Sequence, residues 1–132
     1  MTCATGAFAG GNGAMRSGLS PQSGSIAGGQ CNQGSGGGGN GFVILNAPGQ
    51  PGHASKLIGE VSLKNGAPNT TYEVDVSMVG SQNCMMEAML VTNGQGNGNA
   101  HIADSSLGTG SFYVVLTQAG DEKYASGPLH VN

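Results

Sequence analysis

The stretch that most constrains this chain is Pro68-Asn-Thr-Thr-Tyr-Glu-Val-Asp-Val-Ser-Met78. Tyr72, Val74, Val76 and Met78 alternate with Glu73, Asp75 and Ser77. Successive side chains of an extended chain point to opposite faces, so strict period-2 alternation marks a strand with one dry face and one wet face. Pro68 and Asn69 supply the turn that feeds it. If this is a central strand, its neighbours in sequence should alternate too.

They do. Phe42-Val-Ile-Leu45 is a short apolar run of the kind a buried strand uses, and Asn46-Ala-Pro-Gly-Gln-Pro-Gly52 is a loop. Over Ser55–Lys64, residues Leu57, Gly59, Val61 and Leu63 face one way, and Lys56, Ile58, Glu60, Ser62 and Lys64 face the other. Asn65-Gly66 opens a turn. Cys84–Thr92 holds good helix formers, Met85, Met86, Glu87, Ala88, Met89 and Leu90. It is read as a strand because Thr92-Asn-Gly-Gln-Gly-Asn-Gly98, rich in residues that accept positive φ, follows at once. Asn99–Ala103 returns. Phe112, Val114 and Leu116 then alternate with Tyr113, Val115 and Thr117; Gly120-Asp121 turns; Tyr124–Val131 closes the chain. About seven short strands with a turn signal roughly every 8–15 residues predict an antiparallel all-β sandwich or barrel over residues 42–132. The expected core is Val61, Leu63, Tyr72, Val74, Val76, Phe112, Val114 and Leu116.

Residues 1–41 read differently. They hold 14 glycines and one charge, Arg16, and Gly34-Ser-Gly-Gly-Gly-Gly-Asn-Gly41 has linker composition. Apolar residues are scattered without helical or strand period. Such a segment buries too little apolar surface to offset ordering its backbone, at about 1–2 kcal/mol per residue. The expectation is an extended Gly-rich arm that orders only along a partner, with Phe8, Met15, Leu19 and Ile26 as separate anchors. Deleting residues 2–40 should then leave a folded sandwich that no longer docks.

Charged residues are 8% of the chain and the net charge is -3. Four basic residues, Arg16, Lys56, Lys64 and Lys123, leave no electrostatic footprint for nucleic acid. No apolar run approaches the ~20 residues of a membrane span. The start, Met-Thr-Cys-Ala-Thr-Gly, lacks the basic and apolar regions of a signal peptide. Low charge disfavours a soluble monomer and suits a subunit of an assembly.

Candidate chemistry is sparse. Cys3, Cys31 and Cys84 form no CxxC, which argues against structural zinc. Cys3–Cys31 would close a loop in the arm; the plainer reading is three buried or idle thiols. His53, His101 and His130 show no metal spacing and read as surface or interface residues. Asp104-Ser105-Ser106 and Asp121-Glu122 lack the spacing of a calcium loop and read as turns. Met85, Met86 and Met89 read first as core filling, second as an adaptable contact surface. No nucleophile elbow, phosphate loop or nucleophile–base pair is legible, so no catalytic residue, cofactor or metal is expected.

Gly59-Glu-Val-Ser-Leu63 followed by Pro68-Asn-Thr-Thr-Tyr-Glu-Val-Asp-Val76 resembles fibronectin-III-like and other immunoglobulin-like modules, in which a Pro-x-Thr-x-Tyr-x-Val-x-Val phrase leads into a core strand. Thr92–Gly98 and Phe112-Tyr-Val-Val-Leu116 look like small β-sandwich domains of phage structural and bacterial surface proteins. The resemblance covers residues 57–131 and implies an Ig-like β-sandwich. The chain has no tryptophan and no Cys-Trp-Cys framework, which argues against an antibody-type domain. By this analogy, the expected function is a structural subunit of a virion, a capsid decoration or minor capsid protein. It would dock by its arm on a major capsid subunit and associate with copies of itself. The alternative is an extracellular filament subunit or adhesion module at a bacterial surface.

Overall fold

The alternation centred on Tyr72 becomes an inner strand. In the computed structural model, which describes residues 14–26, 29–49, 56–81 and 83–132, nine strands form. They are β1 (Met15–Pro21), β2 (Gly41–Asn46), β3 (Leu57–Leu63), β4 (Thr71–Met78), β5 (Met85–Val91), β6 (Gly98–Asp104), β7 (Gly110–Gln118), β8 (Asp121–Ser126) and β9 (Leu129–Val131). All pairings are antiparallel. The path through the sheet is β5-β4-β7-β8-β1-β2-β3-β6, with β9 added on β7. Its two ends, β5 and β6, lie side by side, so the sheet curls into a nearly closed barrel. Curling on itself leaves little open edge for stray pairing.

The turns follow from their residues. Ala119 and Gly120, at φ 53° and 83°, make the two-residue turn between β7 and β8; positive φ at both central positions matches the right-handed twist of the strands. Between β5 and β6, the Asn93 side-chain oxygen accepts the N–H groups of Gln95 and Asn97 and so substitutes for backbone partners. Ahead of β4, the Tyr72 hydroxyl accepts the Ala67 N–H at 3.1 Å, and the Thr92 hydroxyl ties Thr70 and Ala67 to the end of β5. The phrase around Tyr72 thus fixes both the strand and the turn feeding it.

All eight expected core residues lie in the main core, together with Leu19, Leu45, Leu57, Leu90, Ile102 and Leu129. Tyr72 and Tyr124 meet edge to face with centroids 5.9 Å apart.

Four expectations change. The strand count exceeds seven: Tyr124–Val131 divides at Gly127-Pro128 into the end of β8 and β9, and β1 is additional. Second, the strands follow one continuous path, joined through β1, that curls into a near-barrel rather than separating into the two sheets of an Ig-like sandwich.

Third, part of the expected arm belongs to the barrel. Met15–Gly18 pairs with β2 and Leu19–Pro21 pairs with β8, so β1 joins the two halves of the path. Backbone pairing needs no side-chain period, which is why a strand with one buried apolar residue, Leu19, forms here. Gly18 is required by packing, since a Cβ there would sit 2.5 Å from the Gly38 Cα.

Fourth, the wet face of β4 is dry: Asp75 and Ser77 are as buried as Val74 and Val76. β7 is likewise buried on both faces from Phe112 to Thr117. Something covers the outside of this half of the barrel.

Candidate functional site

The cover is the chain's own glycine-rich strap. After β1, residues 22–26 run beside β8, with Gln22 N–H donating to Lys123 O, Ile26 N–H to Gly120 O and Glu122 N–H to Gly24 O. Residues 29–31 then lie against the start of β5, where Gly29 O accepts the Cys84 N–H and Gln30 bridges Asn83. Cys31 is joined to Cys84 by a disulfide, and its carbonyl accepts the Tyr113 hydroxyl at 2.8 Å. The strap returns over β8, where Gly34 N–H donates to Ser126 O. A Cβ at Gly34 would stand 2.7 Å from the Ala125 carbonyl oxygen, so only glycine lies this close.

Beneath the strap is a second small core of Cys31, Tyr113, Val115 and Ala125, with Ile26 and Cys84 packed against it. The cysteines are therefore not idle: Cys31 pairs with Cys84 across 53 residues, because the strap delivers it to the start of β5. Cys3 lies outside the described residues.

Carboxyl groups sit under and beside this cover. Glu122 is buried, with its Oε2 accepting the Asn32 side-chain amide at 3.0 Å. Asp75 is fully buried; its Oδ2 accepts the Thr117 hydroxyl at 3.4 Å, and its Oδ1 faces no donor. Burial, then the neighbouring Glu73 carboxyl, push the Asp75 pKa up to about 7. Two carboxylates offer only acceptors, so the Asp75–Glu73 contact becomes a hydrogen bond when one of them holds a proton. A second such pair spans the seam between β5 and β6. Burial and the Asp104 carboxyl push Glu87 up to about 8, while hydrogen bonds from Glu87 and Ser106 hold Asp104 below its usual value. Asp104-Ser105-Ser106 forms a turn, with Ser106 N–H donating to Asp104 at 2.8 Å. Among the described residues no group of three His, Cys, Asp or Glu side chains is arranged to hold a metal ion.

Two histidines find partners the sequence did not foretell. Ser111 and His130 are directly opposite on β7 and β9, with the hydroxyl 2.8 Å from Nδ1. His101 on β6 stands opposite Glu60 on β3, also at 2.8 Å. Both are cross-strand neighbours, visible only once register is known. Ser111–His130 has the reach of a nucleophile–base pair. Among the described residues no third group orients the imidazole, and the pair lies exposed at a sheet margin. His53 lies outside the described residues.

The most prominent surface feature is apolar. Met86, Met89 and Val91 stand on the outer face of β5, opposite Asp75, Glu73 and Thr71 of β4, and are 62%, 54% and 61% exposed. Met78 and Val79, at the end of β4, are exposed as well. The second reading of the methionines, a contact surface, fits Met86 and Met89 better than core filling. An open cleft of about 450 Å³ lies beside the strap between Asn32, Gln33, Gly80 and Tyr113. A shallower groove of about 210 Å³ lies on the opposite side among Ala14, Ile44, Ile58, Glu60 and His101.

The four expected anchors are separated by the fold. Leu19 is fully buried in its own core, Ile26 packs under the strap, and Met15 is 40% exposed at the start of β1. Phe8 lies outside the described residues. Leu19 and Ile26 are therefore engaged within their own chain. Among the described residues no helix is long and apolar enough to cross a membrane. No family model, curated protein or solved structure matches this chain.

Proposed function

We propose that the protein is a non-catalytic structural subunit of a large protein assembly, a virion shell or decoration protein, that associates with copies of itself and with a major shell subunit. The observation that carries this reading is the exposed stripe of Met86, Met89 and Val91 on β5. Methionine is flexible and polarizable, so such a stripe adapts to a partner surface. Contiguous exposed apolar side chains are uncommon on a lone soluble domain. The low charge supports the same reading: 8% charged residues give little protection against association. Phe8 remains a candidate anchor within this proposal. Kinship with immunoglobulin-like subunits rests on the Gly59–Leu63 and Pro68–Val76 phrases.

The Cys31–Cys84 bond favours a second reading, an extracellular filament or adhesion subunit. Disulfides persist in oxidising compartments and on exposed surfaces, including those of virions. Mass spectrometry of purified particles and of cell-surface fractions separates the two by where the chain is recovered. Recovery from neither fraction overturns both.

The stripe itself is tested by the double substitution Met86→Lys, Met89→Lys. Both positions are more than half exposed, so folding stability should change by less than about 1 kcal/mol in urea denaturation, given about 0.5 kcal/mol or less for each surface change. Sedimentation velocity should show association weakened by tenfold or more. Unchanged association would show that the stripe is not the contact.

A further inference from the structure

The glycine run that joins the strap to β2 is richer in glycine than its packing requires. Gly36, Gly38 and Gly39 hold φ values of 77°, 81° and 102°, which glycine adopts freely. Gly37 has no such φ, and a Cβ there would meet only the Ser35 hydroxyl oxygen, a group able to rotate away. Neither conformation nor a fixed neighbour demands glycine at 37. What a fourth consecutive glycine adds is freedom of the connection.

That connection carries a distinct unit. β1 and the strap through Ser35 contact the rest of the chain in three places. β1 fills the slot between β8 and β2. Leu19 enters the main core, and the strap covers Tyr113, Val115 and Ala125. Cys31 fastens to Cys84. Each of these three would form identically if the unit came from another copy of the same chain; the contacts of Gly18 and Leu19 with Gly38 and Asn40 of the glycine connection would change. Five residues from Gly36 to Asn40 span up to about 17 Å when extended, enough to cross to a subunit packed alongside.

We propose that β1 and the strap are exchanged between copies in the assembled state, so that Leu19 of one chain fills the core of the next and Cys31 is bonded to Cys84 of the neighbour. The proposal rests on the assembly reading above and names how copies join. Exchange of an identical element keeps the native contacts outside the connection, and local concentration decides between own and neighbouring unit. The isolated chain closes on itself, and a dense assembly favours the neighbour. The covalent step is ordinary thiol–disulfide exchange. One cysteine forms a mixed disulfide with oxidised glutathione, and the thiolate of the other displaces glutathione as a thiol. Two electrons pass to the oxidant and each protein thiol loses its proton.

The experiment mixes unlabelled and nitrogen-15-labelled full-length chains, unfolded and reduced. They are refolded with oxidised glutathione at concentrations that give assemblies. Monomer and assembly are separated and digested without reduction, and the Cys31–Cys84 peptide pair is weighed. Exchange predicts mixed light–heavy pairs in the assembled fraction and like–like pairs alone in the monomer. Deleting Gly37 and Gly38 shortens the connection and should raise the mixed share. Like–like pairs alone within a well-formed assembly overturn exchange and leave the assembly reading intact. Absence of any assembly at every concentration overturns the assembly reading, and exchange with it.

Discussion

At the scale of single residues, Asp75 couples the fold to pH. Its carboxyl is fully buried on the outer face of β4, beside Glu73 and Thr117. A pKa raised from 3.8 to about 7 means that the folded state holds a proton the unfolded chain releases. The associated stability is complete below about pH 4 and is lost as pH rises through about 7. Glu87, raised to about 8 beside Asp104, acts in the same direction. The wild type should therefore lose stability, on the order of a few kcal/mol, between pH 5 and pH 8.5. Asp75→Asn keeps the shape and supplies an amide that can donate to Glu73, mimicking the protonated acid. Its midpoint in urea should fall less over that range, with the remaining slope due to Glu87. A variant as pH-sensitive as the wild type would show that Asp75 is not the titrating group. The alternation around Tyr72 could not reveal this acid's burial, because a residue opposite the dry face is ordinarily wet; only the strap makes it otherwise.

At the scale of elements, strands with apolar alternation were legible and the strand without it was not. Val74, Leu116 and Leu63 announce their strands by where they must point, and each is in the core. β1 has a single inward apolar residue, Leu19, and pairs through backbone groups that are alike in every sequence. The strap was illegible for the same reason: its glycines are chosen for close approach to Ala125 and for positive φ, which resembles linker composition. Cross-strand pairs such as Ser111–His130 required register, which turn residues alone do not fix. The strap's fastening can be tested directly. Joining residues 53 apart removes unfolded-chain entropy worth about 4 kcal/mol. Cys84→Ser should thus destabilise by about 2–5 kcal/mol. Hydrogen exchange should quicken at Cys84, whose N–H bonds to Gly29, and at Gly34, whose N–H bonds to Ser126. Amides inside β3, which pairs with β2 and β6 away from the strap, should lose protection only as global stability falls. Equal acceleration of β3 and the strap residues at matched global stability would mean that the disulfide fastens nothing locally.

At the scale of the whole molecule, the decisive question is where the folded unit begins. Composition puts the boundary at Gly41; the sheet puts it before Met15. Removing residues 2–40 deletes β1, which leaves β2 and β8 each without a partner on one side. It opens the Leu19 site in the core, and deleting a leucine's worth of packing alone costs about 2–5 kcal/mol. It removes Cys31, worth another roughly 2–5 kcal/mol through the disulfide. It also uncovers Tyr113, Val115 and Ala125 and exposes the buried Asp75 and Glu122 carboxyls. A domain of this size holds about 5–15 kcal/mol in total, so these losses together reach or exceed what is available. Deleting residues 2–13 instead keeps every contact described here. The expected result is that the chain lacking residues 2–13 unfolds cooperatively in urea with a strand-type far-ultraviolet spectrum, while the chain lacking residues 2–40 shows no cooperative transition. A fragment of residues 41–132 with a sharp transition and native near-ultraviolet signal would move the boundary back to Gly41. The barrel would then close without β1, and its occupancy by the chain's own N-terminal segment would be optional rather than structural.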